Sequence, residues 1–182
     1  IDEELKKRKE KFEDLEGVRK EYYDEDRLEN PFDDTKVLND PDADVSKIAV
    51  GVDMEVQELL LLDRLNEKGK GIDGVISHHP EGKALARLHE VIGLQVDVLQ
   101  EKGIPVSQAE AVVRPRTDEI RKAVHPGNHP RNPTAAELLG FPYMSVHTPA
   151  DNHAYNFVED YLSEKDTETL EDVVSVLLEI PE

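Results

Sequence analysis

Apolar and polar positions change rhythm twice between Lys47 and Ser77. Lys47-Ile48-Ala49-Val50-Gly51-Val52-Asp53 is a short apolar run ending in an acid, the pattern of a buried strand. From Glu55 to Lys68, residues Val56, Leu59, Leu60, Leu62 and Leu65 make a broad apolar helical face, and Gly69 and Gly71 stop that helix. Ile72 to Ser77 is a second strand pattern. Strand, helix and strand at these lengths predict a right-handed βαβ unit with parallel strands. The fold class is therefore α/β, a mostly parallel sheet flanked by helices in α/β/α layers.

That unit brings Asp53 and the adjacent pair His78-His79 to one carboxyl edge of the sheet, where open α/β sheets bind ligands. Pro80 cannot continue a central strand, so the chain turns directly after the histidines. Neighbouring strand side chains point to opposite faces. Two adjacent imidazoles share one small volume only if the backbone twists or turns between them, as it can at a strand end. A pair of metal ions a few ångströms apart suits such a pair better than one ion. Imidazole is the commonest protein metal ligand and titrates near neutral pH.

Downstream, Lys83 to Lys102 reads as a long helix, with His89 as a surface or satisfied core residue. Gly103-Ile104-Pro105 interrupts it, and Pro115 parts two further helical segments, Val106–Arg114 and Thr117–Val124. His125 to Pro133, with His125 and His129, reads as an ordered turn. A short helix follows over Thr134–Leu139, capped by Asn132-Pro133 and stopped by Gly140. The strand Tyr143–His147 then runs into Thr148-Pro149-Ala150-Asp151. Asp151 stands just ahead of a helix over Ala154–Ser163, where the dipole and free amides keep a capping carboxylate ionised. A carboxylate placed four residues after a histidine, again at a strand end, is a suitable partner for His78 and His79. Leu170, Val173, Val174, Leu177 and Leu178 form a closing helical stripe that reads as core.

Upstream, residues 1–23 read as a charged helix laying the thin stripe Leu5, Phe12, Leu15 and Val18 on the core; the heptads do not persist as in a coiled coil. Residues 24–46 read as a solvated acidic linker, their aspartates lacking the spacing of a calcium-binding loop. Residues 47–182 then form the α/β metal-binding domain.

Composition narrows the chemistry. With no cysteine, there are no disulfides or thiolate sites, and any metal must use His, Asp, Glu or water. That composition fits a cytoplasmic location. A formal net charge of −19 argues against a protein built to grip a nucleic-acid backbone. No apolar run is long enough to span a membrane. The 182 residues suit one domain or one and a part, and both ends, Ile1 without a methionine and Ile180-Pro181-Glu182 just after an apolar run, read as cuts in a longer chain.

Val52-Asp53, a helix, Gly74-Val75-Ile76-Ser77-His78-His79-Pro80 and then His147-Thr148-Pro149-Ala150-Asp151 resemble the NGG-one interacting factor three (Nif-three-like) family, also called GTP cyclohydrolase one type two. The resemblance runs from about Lys47 to Ser163. It implies two divalent metal ions (Zn, Fe, Mn or Ni), a ring-shaped homohexamer, and metal-dependent hydrolysis of a nucleotide or phosphoester, GTP by the family's name. It makes His78, His79 and Asp151 metal ligands and His147 the catalytic proton-transfer group, with Asp53 near the pair. The alternative is a non-catalytic metal-binding, ring-forming interaction or regulatory protein. The family's site is completed by a His-x-x-x-Glu motif, and none follows Asp151 here. For phosphate, the available cations are Arg114, Arg116 and Arg131.

Overall fold

In the computed structural model, which describes residues 2–181, four strands form one sheet in the order β1-β4-β3-β2. They are β1 (Lys36–Asn39), β2 (Ile48–Gly51), β3 (Gly74–Ser77) and β4 (Tyr143–Ser145). β2, β3 and β4 are parallel and β1 runs antiparallel to β4, so the sheet is mostly parallel, as the sequence predicts. Ile1 and Glu182, the outermost residues of the predicted helix and domain, lie outside the described residues.

The βαβ unit is present as β2, the helix α3 (Val56–Glu67) and β3. Glu58 accepts from the Glu55 backbone N–H at 3.0 Å, closing a capping box at the start of α3. The Asn66 side chain donates to Ile72 O and accepts from Ile72 N–H, both at 2.7 Å, so the turn into β3 is clasped at two points. Leu59 and Leu62 of α3 pack with Val75, Tyr143, Met54, Phe141 and Ala136 in the core. Leu59 is fully buried, and trimming it to alanine costs about 2–5 kcal/mol.

On the opposite face of the sheet, strand register aligns Val50, Ile76, Met144 and Val37 in one apolar row. Val37 and Val50, at its two ends, are exposed.

Several predicted elements differ. The predicted helix over 1–23 is α1 (Asp2–Glu13) and α2 (Val18–Glu21), parted at Gly17, whose φ of 55° breaks helical continuity; Val18 is exposed and leaves the predicted stripe. Residues 24–46 are not a solvated connector. They supply a 3-10 turn (Glu25–Leu28) and β1, and Asp33, Asp34 and Lys36 are buried with partners: Arg8 and Arg27 for Asp33, His147 for Asp34 and Asp24 for Lys36. The helix predicted over 83–102 is three short pieces, α4 (Gly82–Ala86), α5 (Leu88–Val91) and α6 (Leu94–Glu101). Pro115 does not part α7 (Val106–Val124), which runs through it; Thr117 Oγ donates back to Val113 O at 3.2 Å within the same helix. In α8 (Arg131–Leu139), Asn132 lies inside the helix, and Gly140 ends it at φ 73°.

The chain divides into two units, Ile1–His147 and Thr148–Glu182. The second holds α9 (Thr148–Ser163) and α10 (Leu170–Leu177), tied together where Tyr161 and Lys165 reach Glu179 at 3.3 and 3.2 Å. The α10 stripe is not core: Leu170, Val174 and Leu178 are exposed, because no described residue covers that side of the helix. No described helix is long and apolar enough to cross a membrane.

Candidate metal centre

The parallel strands end at Gly51, Ser77 and Ser145, and the backbone stays hydrogen-bonded beyond them. His78 N–H donates to Gly51 O and His79 N–H to Val52 O, both at 2.8 Å, while Val146 N–H donates to Ser77 O at 2.9 Å. Ser77 Oγ donates to His79 O, and Pro80 is buried, so the turn after β3 is held on both sides. This local turning lets two adjacent histidines face one another, as the sequence argument required.

Three imidazoles meet at this edge. Ring centroids lie 5.3 Å apart for His78 and His79, 5.1 Å for His78 and His147, and 6.2 Å for His79 and His147. Each ring turns its Nδ1 toward an oxygen: Asp53 Oδ1 at 2.7 Å from His79, Asp34 Oδ2 at 2.8 Å from His147, and Val146 O at 3.3 Å from His78. An ionised carboxylate or a carbonyl can only accept, so Nδ1 carries the proton and the lone pair sits on Nε2. This is the arrangement by which proteins orient imidazole ligands, the second ring nitrogen being held by a carboxylate or carbonyl.

The donor set fits a divalent metal of the first transition row: imidazole nitrogen and carboxylate oxygen with no sulfur. His78 and His147 offer imidazole nitrogens at this edge, and Asp151, in the second unit, offers a carboxylate oxygen of the kind such a metal takes. Asp151 is in the first turn of α9, not ahead of a later helix as predicted. Pro149 lacks the N–H that a first turn leaves unbonded anyway, so the helix starts at Thr148.

The residues around the turn are also fixed. Glu81 N–H donates to Ser145 Oγ at 3.0 Å, and its carboxylate accepts from Asn132 Nδ2 at 2.6 Å. Burial pushes the Glu81 carboxyl up from its ordinary range; the Asn132 bond opposes this, Glu55 and Asp53 add to it, and Arg131 opposes it. Tyr143 OH donates to Met54 O at 2.8 Å, tying β4 to the loop after β2.

The arginines considered for phosphate are engaged elsewhere or apart. Arg116 pairs with Glu119 at 2.8 Å and Arg131 with Glu55 at 3.0 Å, while Arg114 lines a groove with Glu110 and Thr117. Asp34 is the site residue that the sequence reading missed. Its one sequence signal was an acid between Asp33 and Thr35 in a segment too polar to read as interior.

No family model matches the chain, and no curated protein matches it. Among solved structures, the chain is similar to a NIF3 superfamily protein from Sphaerobacter thermophilus, at 25% identity and a TM-score of 0.67. The likeness covers 82% of this chain and 54% of that one, so this chain spans about half the length of that relative.

Proposed function

The chain belongs to the NIF3 superfamily, and from that premise we propose that it binds a pair of divalent metal ions at the carboxyl edge of its sheet and serves in metal-dependent hydrolysis of a nucleotide or phosphoester. The observation that carries this reading is the convergence of His78, His79 and His147 with every Nδ1 held by an oxygen. In it, His78, His79 and Asp151 are the ligands. Once bound, such a pair lowers the pKa of water and polarises the bond under attack.

The chain's own residues do the rest. Asp53 and the Val146 carbonyl orient the two ligand imidazoles through Nδ1. His147 Nε2 holds or moves a proton beside them, and the Asp34 contact keeps that nitrogen the basic one. Ser77, Pro80 and Glu81 hold the turn.

The test is metal content and turnover together. Purified protein loaded with zinc, manganese, iron or nickel is expected to hold two equivalents, and His78→Ala and His79→Ala each to lose them. Hydrolysis is then assayed on GTP and on phosphoester substrates. Unchanged metal content in both variants would sink the reading, while stoichiometric metal without turnover on any substrate would leave the non-catalytic alternative.

A further inference from the structure

A chain of polar contacts runs from the N-terminal helix to the imidazole of His147. Arg8 of α1 is 12% exposed, and its guanidinium is used on every side. Nε donates to Glu4 at 2.9 Å, one terminal nitrogen to Asn30 O at 3.2 Å, and the other to Pro31 O at 3.0 Å and Asp33 Oδ2 at 3.1 Å. Arg27 donates to the same Asp33 oxygen at 3.1 Å. The Asn30 side chain accepts from Phe32 N–H at 2.9 Å and donates to Thr35 O at 2.6 Å, so the stretch from Asn30 to Thr35 is closed on itself.

That closed turn presents two groups to one residue. Asp34, fully buried, faces His147 Nδ1 at 2.8 Å, and Thr35 Oγ accepts from the His147 backbone N–H at 3.0 Å. Side chain and backbone of His147 are thus both held by the same two-residue step. Beyond it, Lys36 pairs with Ser145 in the antiparallel β1–β4 ladder, so the turn cannot slide along β4 without breaking sheet register.

We propose that residues 2–36 are a positioning device for His147: Arg8 and Arg27 fix Asp33, the turn fixes Asp34, and Asp34 fixes the imidazole as the Nδ1–H tautomer with its basic nitrogen facing the site. The consequence for catalysis rests on the proposed function, whereas the tautomer and its dependence on α1 do not. Asp34 and Arg8 are positioning residues, since neither reaches the place where a substrate would react.

The experiment reads the two ring nitrogens of His147 by long-range proton–nitrogen NMR in the full metal-free chain, at a pH where the ring is neutral. Wild type is expected to show Nδ1–H. Asp34→Asn keeps an acceptor oxygen and is expected to retain that tautomer. Asp34→Ala is expected to lose it in favour of Nε2–H, the form that a histidine side chain prefers in water. Arg8→Ala leaves the pair chemically intact and is expected to give an averaged, shifted pair of nitrogen signals. Backbone amide spectra establish that each variant is folded; should Asp34→Ala not fold, wild type and Arg8→Ala decide the matter. Wild type in the Nε2–H form, or a folded Arg8→Ala with His147 nitrogens identical to wild type, would overturn the proposal. A chain that shows the expected tautomers yet binds no zinc in an equilibrium titration would retain the positioning device and lose the metal-hydrolase reading, so the two failures are separable.

Discussion

Two aspartates hold two imidazoles at nearly the same distance and in opposite surroundings. Asp53 meets His79 at 2.7 Å with side chains 61% and 50% exposed. Asp34 meets His147 at 2.8 Å with side chains 0% and 22% exposed. The contact lengths do not distinguish the pairs; their solvent does. In water, an ion pair or charged hydrogen bond is screened and competes with hydration, so it contributes about 0–1 kcal/mol. In the interior, solvent does not replace a lost contact, so removing one member of a pair costs more than forming it contributes. The exposed pair can orient a ring, while the buried pair is also part of what keeps the surrounding fold in place.

The strongest way to break this contrast is Asp34→Ala, expected to cost about 3 kcal/mol in urea denaturation, the upper end for a hydrogen bond to a charged group. A loss no larger than that of an exposed pair would mean that water enters the site freely. Next is Arg8→Ala, which removes three hydrogen bonds to the 30–33 turn and the one to Glu4, and is expected to cost about 1–3 kcal/mol by the same measurement.

A third test uses acid. Burial pushes the Asp24 carboxyl up, but the hydrogen bond and charge of Lys36, with the charges of Arg87 and Lys83, outweigh it and hold Asp24 below its ordinary 3.8. Its folded pKa is depressed, so its contribution is present above 3.8 and is lost as pH falls through the folded value. The stability difference between wild type and Asp24→Asn, followed by chemical denaturation, should therefore shrink as the pH drops below that point. A constant difference would mean that Asp24 acts by packing alone. The smallest effect is expected from Asp53→Ala, below about 1 kcal/mol in stability.

The same contrast explains what was legible in the chain. The βαβ unit was readable because its apolar periods are local, and the parallel strands fix which ends share an edge; Asp53, His78 and His79 followed from that topology. His147 was legible as a histidine at another strand end. Asp34 was not, because the group it faces, His147, is 113 residues away in sequence, and its neighbour Asp33 is likewise buried among cations that local pattern does not show. Arg8 and Arg27 contact Asp33 from 25 and 6 residues away, and Arg87 stands 3.9 Å from the same carboxylate. Local polarity in 24–46 therefore pointed to solvent where the fold supplies partners. The α10 stripe failed in the reverse direction: helical spacing identifies an apolar face but not whether anything packs on it. Pro115 was read as a break because a proline's missing N–H is visible in sequence, whereas a helix that continues through one loses a single bond and is not visible there.

The backbone bonds from His78 and His79 to the end of β2, and from His147 to Thr35, have an entropic meaning. Fixing the backbone of one residue costs about 1–2 kcal/mol of conformational freedom, and at this edge the fold has already met that cost for three histidines. A ligand that arrives there does not have to order the chain around itself. Folding and occupancy are then separate equilibria, unlike small zinc modules in which they are a single event. What the folded chain fixes at this edge is the orientation of each ring, through Asp53, the Val146 carbonyl and Asp34.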